Sequence, residues 1–169
     1  MKRRQVLAHS AALAPLARFA PFTSLLLAAC GDGGDWAEGM TPIKWDRDAC
    51  QRCKMVISDP RFAVEIKGGP KETVFKFDDM GCAATWRVEK IAQYPWMAEA
   101  GTRFWVADYN GKGVKWLNAL SAHFQGGRTS PMGYNYAAYG EAQSDTISYE
   151  AMMKITSSTW PASCLPAKG

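Results

Sequence analysis

Two cysteines and a methionine fall within six consecutive residues, Cys50-Gln51-Arg52-Cys53-Lys54-Met55, and no other stretch of the sequence is better suited to chemistry. Cysteines separated by two residues can bring both sulfurs to one small ion, and Met55 adds a thioether. Thiolate and thioether are soft donors and suit Cu(I). Zn(II) takes thiolate, imidazole and carboxylate, so Met55 is the residue that separates the two metals. The bland reading of Met55 is a side chain that fills the core. Spacing alone leaves three uses open. The first is a soft-metal site. The second is structural zinc, which needs a second ligand pair; the chain has no second Cys-x-x-Cys, and a set would have to be drawn from Cys50, Cys53, Cys82 and Cys164. The third is a redox dithiol, in which Arg52 and Lys54 would favour thiolates. Such motifs ordinarily follow a strand and open a helix, whereas this one precedes the first clear strand.

The remaining cysteines take their meaning from the N-terminus. Lys2-Arg3-Arg4 is followed by an Ala/Leu-rich stretch ending in Leu25-Leu26-Leu27-Ala28-Ala29-Cys30. This pattern reads as an export signal over residues 1–29. It resembles a bacterial lipobox, with cleavage before Cys30 and lipid on its sulfur; an ordinary secretory signal with an incidental cysteine is the plainer alternative. Arg3-Arg4 with Val6-Leu7 also resembles a twin-arginine signal. Arg18, Pro15 and Pro21 interrupt the apolar run, which argues against a membrane span. The expected product is exported and faces the periplasm from a lipid anchor. Residues 30–45 are expected as a flexible tether, starting with Gly31-Asp32-Gly33-Gly34-Asp35, and residues 46–169 as the folded body. In an oxidising compartment Cys50, Cys53, Cys82 and Cys164 could form two disulfides or serve as metal thiolates.

Charge narrows the partners. The chain has 20 basic and 16 acidic residues, but four of the basic ones precede Cys30 and no acid does. The body is therefore near neutral, and it lacks the basic stripe that nucleic-acid binding requires.

Several elements must position the sulfur motif. Ser58-Asp59-Pro60 reads as a turn. Residues 61–67 alternate, with Phe62, Val64 and Ile66 to one side, and residues 72–77 alternate likewise around Thr73, Phe75 and Phe77. Gly68-Gly69-Pro70 would join them as a hairpin. Asp78 or Asp79 is expected to cap a helix reaching about Ile91, with Met80, Ala84, Val88 and Ile91 on its apolar face. A strand over 103–109, a turn at Asn110-Gly111-Lys112-Gly113 and a return strand over 114–117 follow. A short helical segment is expected over 118–124, a loop around Ser130-Pro131-Met132-Gly133, a strand over 134–139 and a helix over 149–156. Strand pairs joined by short glycine turns favour antiparallel sheet, so the fold class is α+β, with two ββα-like halves as one arrangement. The seven tryptophans read as core and loop packing.

Asp48-Ala49-Cys50-Gln51-Arg52-Cys53-Lys54-Met55 resembles the opening motif of the NosL family, accessory lipoproteins of nitrous-oxide reductase. Val74-Phe75-Lys76-Phe77-Asp78-Asp79, Phe104-Trp105-Val106-Ala107-Asp108-Tyr109, Trp116-Leu117-Asn118-Ala119 and Ser130-Pro131-Met132-Gly133 resemble later family signatures in the same order. The similarity covers about residues 48–139. It implies a periplasm-facing lipoprotein that binds Cu(I) and delivers it, beside a membrane maturation complex, toward the copper centres of nitrous-oxide reductase. It implies no catalytic step. By the resemblance, Cys50, Cys53, Met55 and Met132 are the metal positions. The chain departs from the pattern near its C-terminus, where the family's Ala-rich helix and His-Gly-Gly segment have no counterpart. His123 is the one histidine after Cys30 and reads as a surface or packing residue, and Cys82 as a site neighbour or a small apolar side chain. The alternatives are a thiol-disulfide oxidoreductase using Cys50 and Cys53, or a copper chaperone for another periplasmic enzyme.

Overall fold

The computed structural model describes residues 35–111 and 115–159. The export signal, Cys30, Cys164 and the tip of the expected hairpin at Lys112-Gly113 lie outside the described residues. Two antiparallel sheets and two helices make up the fold, which is α+β as the alternation predicts. The strands β1 (Val64–Gly68) and β2 (Thr73–Phe77) pair antiparallel, with Ile66 opposite Phe75 and Val64 opposite Phe77. Strand β3 (Arg103–Ala107) joins the other edge of β1, and β4 (Trp116–Asn118) pairs with β3, giving the order β2-β1-β3-β4. A second sheet holds β5 (His123–Gln125) between β6 (Ala137–Tyr139) and β7 (Thr146–Ile147).

The core follows from the period-two pattern. Val64, Ile66, Phe75, Phe77, Phe104 and Val106 share one face of the large sheet and are buried. Helix α1 (Met80–Lys90) lies in the same core with Met80, Ala83 and Ala84, and helix α2 (Tyr149–Thr159) packs on α1 and contributes Tyr149 and Met152. Burying a side chain such as Phe77 contributes about 1.5–3 kcal/mol relative to leaving it in water.

Local outcomes differ from the sequence pattern in several places; the expected strand over 61–67 begins only at Val64, and Phe62 packs with Ala137 and Tyr139 instead. The segment 118–124 is one turn followed by β5 rather than a helix. Asn118 accepts the Ser121 and Ala122 N–H groups on its carbonyl and the Leu120 N–H on its side chain, and these bonds end the turn. Phe124 and Gln125 then pair with β6 and β7. The expected strand over 134–139 is shortened to β6 because Asn135 is left-handed (φ 63°) and its backbone N–H bonds Ser130. Val88 is 62 % exposed rather than on the apolar face of α1, which buries mainly its first turn and a half. The ββα order holds for β1-β2-α1, while the second half inserts three short strands between its hairpin and α2.

Residues 36–45, expected as part of a tether, form an arm packed onto the sheet. Ile43 is fully buried, and Trp36 stacks on Trp45 and on Trp116 of β4 with ring centroids 5.9 and 5.4 Å apart. Under this arm lies Glu65, also fully buried. Its Oε1 accepts the Thr41 N–H at 2.9 Å and its Oε2 has no hydrogen-bond partner. Burial pushes the Glu65 carboxyl up to about 7, against the pull of the Thr41 N–H and the charges of Lys76, Lys67 and Arg103. The fold therefore binds a proton that the unfolded chain releases above pH 4.5 or so. Glu65 contributes stability that is full below that pH and lost as the pH rises through about 7, a change of about 3 kcal/mol. Urea melts from pH 4 to 8 should show this decline in the wild-type chain, and Glu65→Gln should make it shallower. An unchanged pH slope in the variant would contradict the assignment.

Candidate metal centre

The sulfur motif is held as a tight loop. Cys50 donates its N–H to the Met55 carbonyl (2.7 Å), and Lys54, left-handed with φ 66°, donates back to the Cys50 carbonyl (3.0 Å). Ala49 and Val56 bridge across the loop base. Gln51 N–H binds the Lys76 carbonyl on β2 at 2.8 Å, and Lys76 Nζ meets Asp48 at 2.7 Å, which docks the loop against the end of that strand.

Strand β2 ends in Asp78-Asp79, and these two neighbours do different work. Asp79 is the cap of α1, in extended backbone (φ −153°, ψ 139°), and its Oδ1 accepts the Gly81 N–H at 2.8 Å. Asp78 is turned to the sulfur loop, where its carboxylate oxygens lie 3.4 and 3.5 Å from the Cys53 sulfur. Three residues past the cap, in the first turn of α1, Cys82 faces the same point. The ligand atoms of Cys50, Cys53, Asp78 and Cys82 all lie within 4.8 Å of one another, and the three cysteines are free thiols. Among the described residues no other set of three or more His, Cys, Asp or Glu side chains converges in this way.

Cys50, Asp78 and Cys82 are buried, whereas Cys53 is half-buried. Hydrogen bonds with the Cys50 and Cys82 sulfurs bring the Cys53 thiol down to about 4. Burial, reinforced by Cys50, pushes the Asp78 carboxyl up to about 7. The Cys82 thiol is pushed up by its bonds to Cys50 and Cys53 and by burial. Within the cluster the thiolate is thus favoured at Cys53 and disfavoured at Cys82. Three sulfurs and a carboxylate at this spacing could hold a metal ion. The sulfurs suit a soft ion, and the carboxylate widens the choice to zinc.

The surroundings fix this geometry. Asp79 Oδ2 accepts the Ser130 hydroxyl at 2.5 Å and the Met132 N–H at 3.2 Å, so one carboxylate ties the 130–133 loop to the head of α1. Burial pushes the Asp79 carboxyl up, against the pull of these bonds. Tyr134 lies over Gly81, and its hydroxyl contacts Thr85 and accepts from Arg52, one of the two residues between the motif cysteines. Arg52 also pairs with Glu89 on α1 at 2.9 Å.

Of the residues named from sequence, Cys50 and Cys53 are brought together. Met55 closes the loop through its carbonyl, and the residue is 45 % exposed. Met132 is half-buried, with its backbone held by the carboxylate next to Asp78. His123 stands on β5 opposite Tyr139 and is outside the cluster. Cys82, left open by the sequence, is a full member. Asp78 was missed as a site residue, although two adjacent acids stand where a helix cap needs one.

No protein-family model, curated protein or solved structure matches the chain.

Gly81 offers a direct test of the framework. A Cβ built there would come within 1.9 Å of the Tyr134 ring. Gly81→Ala should destabilise the fold by about 1–3 kcal/mol through overpacking, despite alanine's better helix propensity. Denaturant melts should show this loss and its partial recovery in Gly81→Ala/Tyr134→Ala. A neutral or stabilising Gly81→Ala would contradict the Tyr134 contact.

Proposed function

We propose that the chain binds one Cu(I) as cargo through Cys50, Cys53 and Cys82 and hands it on to a copper enzyme. The observation that carries this reading is the convergence of three free cysteines with sulfurs within 4.8 Å, two of them buried and one partly exposed. Three thiolates give Cu(I) the soft, low-coordinate environment that it favours. An incoming ligand can add at the Cys53 side before an old bond breaks, which suits transfer rather than storage. Met55, an exposed residue close to Cys53 in sequence, is a thioether candidate for the exit step, and Met132 is a second. Neither catalysis nor a resident cofactor is needed.

The recipient and the setting follow from the NosL resemblance. They are nitrous-oxide reductase and its membrane maturation complex, served from a lipoprotein anchored at Cys30 and facing the periplasm. The support is the ordered set of motifs from Asp48 to Tyr139. Asp78 favours a second reading, Zn(II) in a three-cysteine, one-carboxylate site.

Competition titration separates the two. Reduced protein should take one Cu(I) from a chromophoric Cu(I) chelator and keep it against excess Zn(II). Cys50→Ser, Cys53→Ser and Cys82→Ser should each weaken that binding by about tenfold or more, roughly 1.4 kcal/mol. Met55→Leu and Met132→Leu should slow transfer to an acceptor chelator more than they weaken binding. Preferential retention of Zn(II), or full Cu(I) affinity in the Cys82 variant, would overturn the reading.

A further inference from the structure

A trio of thiols holds one more sulfur than a disulfide needs, and in this cluster the three differ in access. Cys50 and Cys82 are fully buried, and Cys53 alone is partly exposed. A bulky oxidant therefore meets Cys53 and not the other two. Since the sulfurs already lie within 4.8 Å of one another, closing any pair to bonding distance asks for at most about 3 Å of sulfur movement. A change of side-chain rotamer supplies movement of that order. The backbone need not move far, because the loop holding Cys50 and Cys53 is closed by its own hydrogen bonds and Cys82 is on the first turn of a capped helix.

We propose that the metal site is also a thiol–disulfide switch, in which Cys53 closes onto Cys50 or Cys82 and the disulfide-bonded chain no longer holds the metal. The regulatory consequence rests on the metal-binding reading; the disulfide does not. The oxidant is a small-molecule or protein disulfide. Cys53 sulfur attacks one sulfur of that disulfide, whose S–S bond breaks and releases one thiol, leaving a mixed disulfide on Cys53. The sulfur of Cys50 or Cys82 then attacks Cys53 Sγ, and the second half of the oxidant leaves with the proton of the attacking thiol. Two cluster thiols are oxidised and one external disulfide is reduced to two thiols. One cluster sulfur and Asp78 remain, too few soft donors to keep Cu(I) from a competing thiol. A bound ion has the opposite effect: it engages Cys53 and blocks the first attack, so metal and disulfide exclude one another.

The test uses the full chain, equilibrated in mixtures of reduced and oxidised glutathione, alkylated, and mapped by peptide mass spectrometry. Cu(I) binding is measured on both end states with a chromophoric chelator. The expected result is loss of two alkylation sites among Cys50, Cys53 and Cys82, always including Cys53, together with loss of the bound Cu(I) equivalent. Preloading with Cu(I) should keep all three sites open to later alkylation under denaturing conditions. Cys53→Ser should abolish the intramolecular disulfide, and Cys50→Ser and Cys82→Ser should each still form one. Three thiols that stay reduced, a stable glutathione adduct with no internal disulfide, or an oxidised chain that binds Cu(I) as the reduced one does would overturn the switch. A reduced chain that binds no Cu(I) would instead remove the metal reading, and thiol mapping would still report separately on the disulfide.

Discussion

The structure depends on two neighbouring carboxylates that act in different directions at the end of β2. In extended backbone, successive side chains point to opposite sides. Asp78 therefore reaches the sulfur loop, while Asp79 caps α1 and collects the Ser130 hydroxyl and the Met132 N–H. Capping sets where the helix begins, and the helix start sets where Cys82 lies. The same corner thus brings a strand end, a helix head and two loops to one point. A single carboxylate could not do both jobs, because a helix-capping oxygen is already committed to backbone N–H groups.

A second layer keeps that corner from drifting. Arg52 lies between the two motif cysteines in sequence and is tied to α1 through Glu89 and to the 130–134 segment through Tyr134. Tyr134 in turn occupies the space that a side chain at position 81 would need. Each element that contributes a donor is held to the others by at least one polar contact that is not itself a donor. On the far face of the sheet, the arm from Trp36 to Trp45 covers Glu65, so this small fold buries a carboxylate on each side of its central strands.

The period-two strands, the glycine hairpin and the helix after Asp79 were legible in sequence because each rests on local rules. The turn after Asn118 was not, since one capped turn and the start of a short helix share the same residues, and only pairing with β6 and β7 decides between them. Nor was the packed arm, because Trp36 finds its partner Trp116 on β4, about 80 residues away. At the site, the Cys50–Cys53 spacing was readable, Cys82 was left open, and the contribution of Asp78 was not readable. Donors separated in sequence become a cluster only when tertiary structure fixes the angle between strand and helix. Met55 is the instructive case: its carbonyl closes the loop by accepting the Cys50 N–H, a backbone role that side-chain chemistry does not announce.

A cluster with two cysteines buried and one partly exposed could hold a metal ion and still leave it a route out. Burial of Cys50 and Cys82 excludes water from most of the site, and the access of Cys53 leaves one route for exchange. The central claim is that these three sulfurs together bind the cargo. X-ray absorption at the copper edge, on reduced protein carrying one equivalent of Cu(I), addresses it most directly. The account predicts a first shell of three sulfur scatterers that falls to two in Cys82→Ser. A shell dominated by nitrogen or oxygen, or one unchanged by removing Cys82, would contradict it.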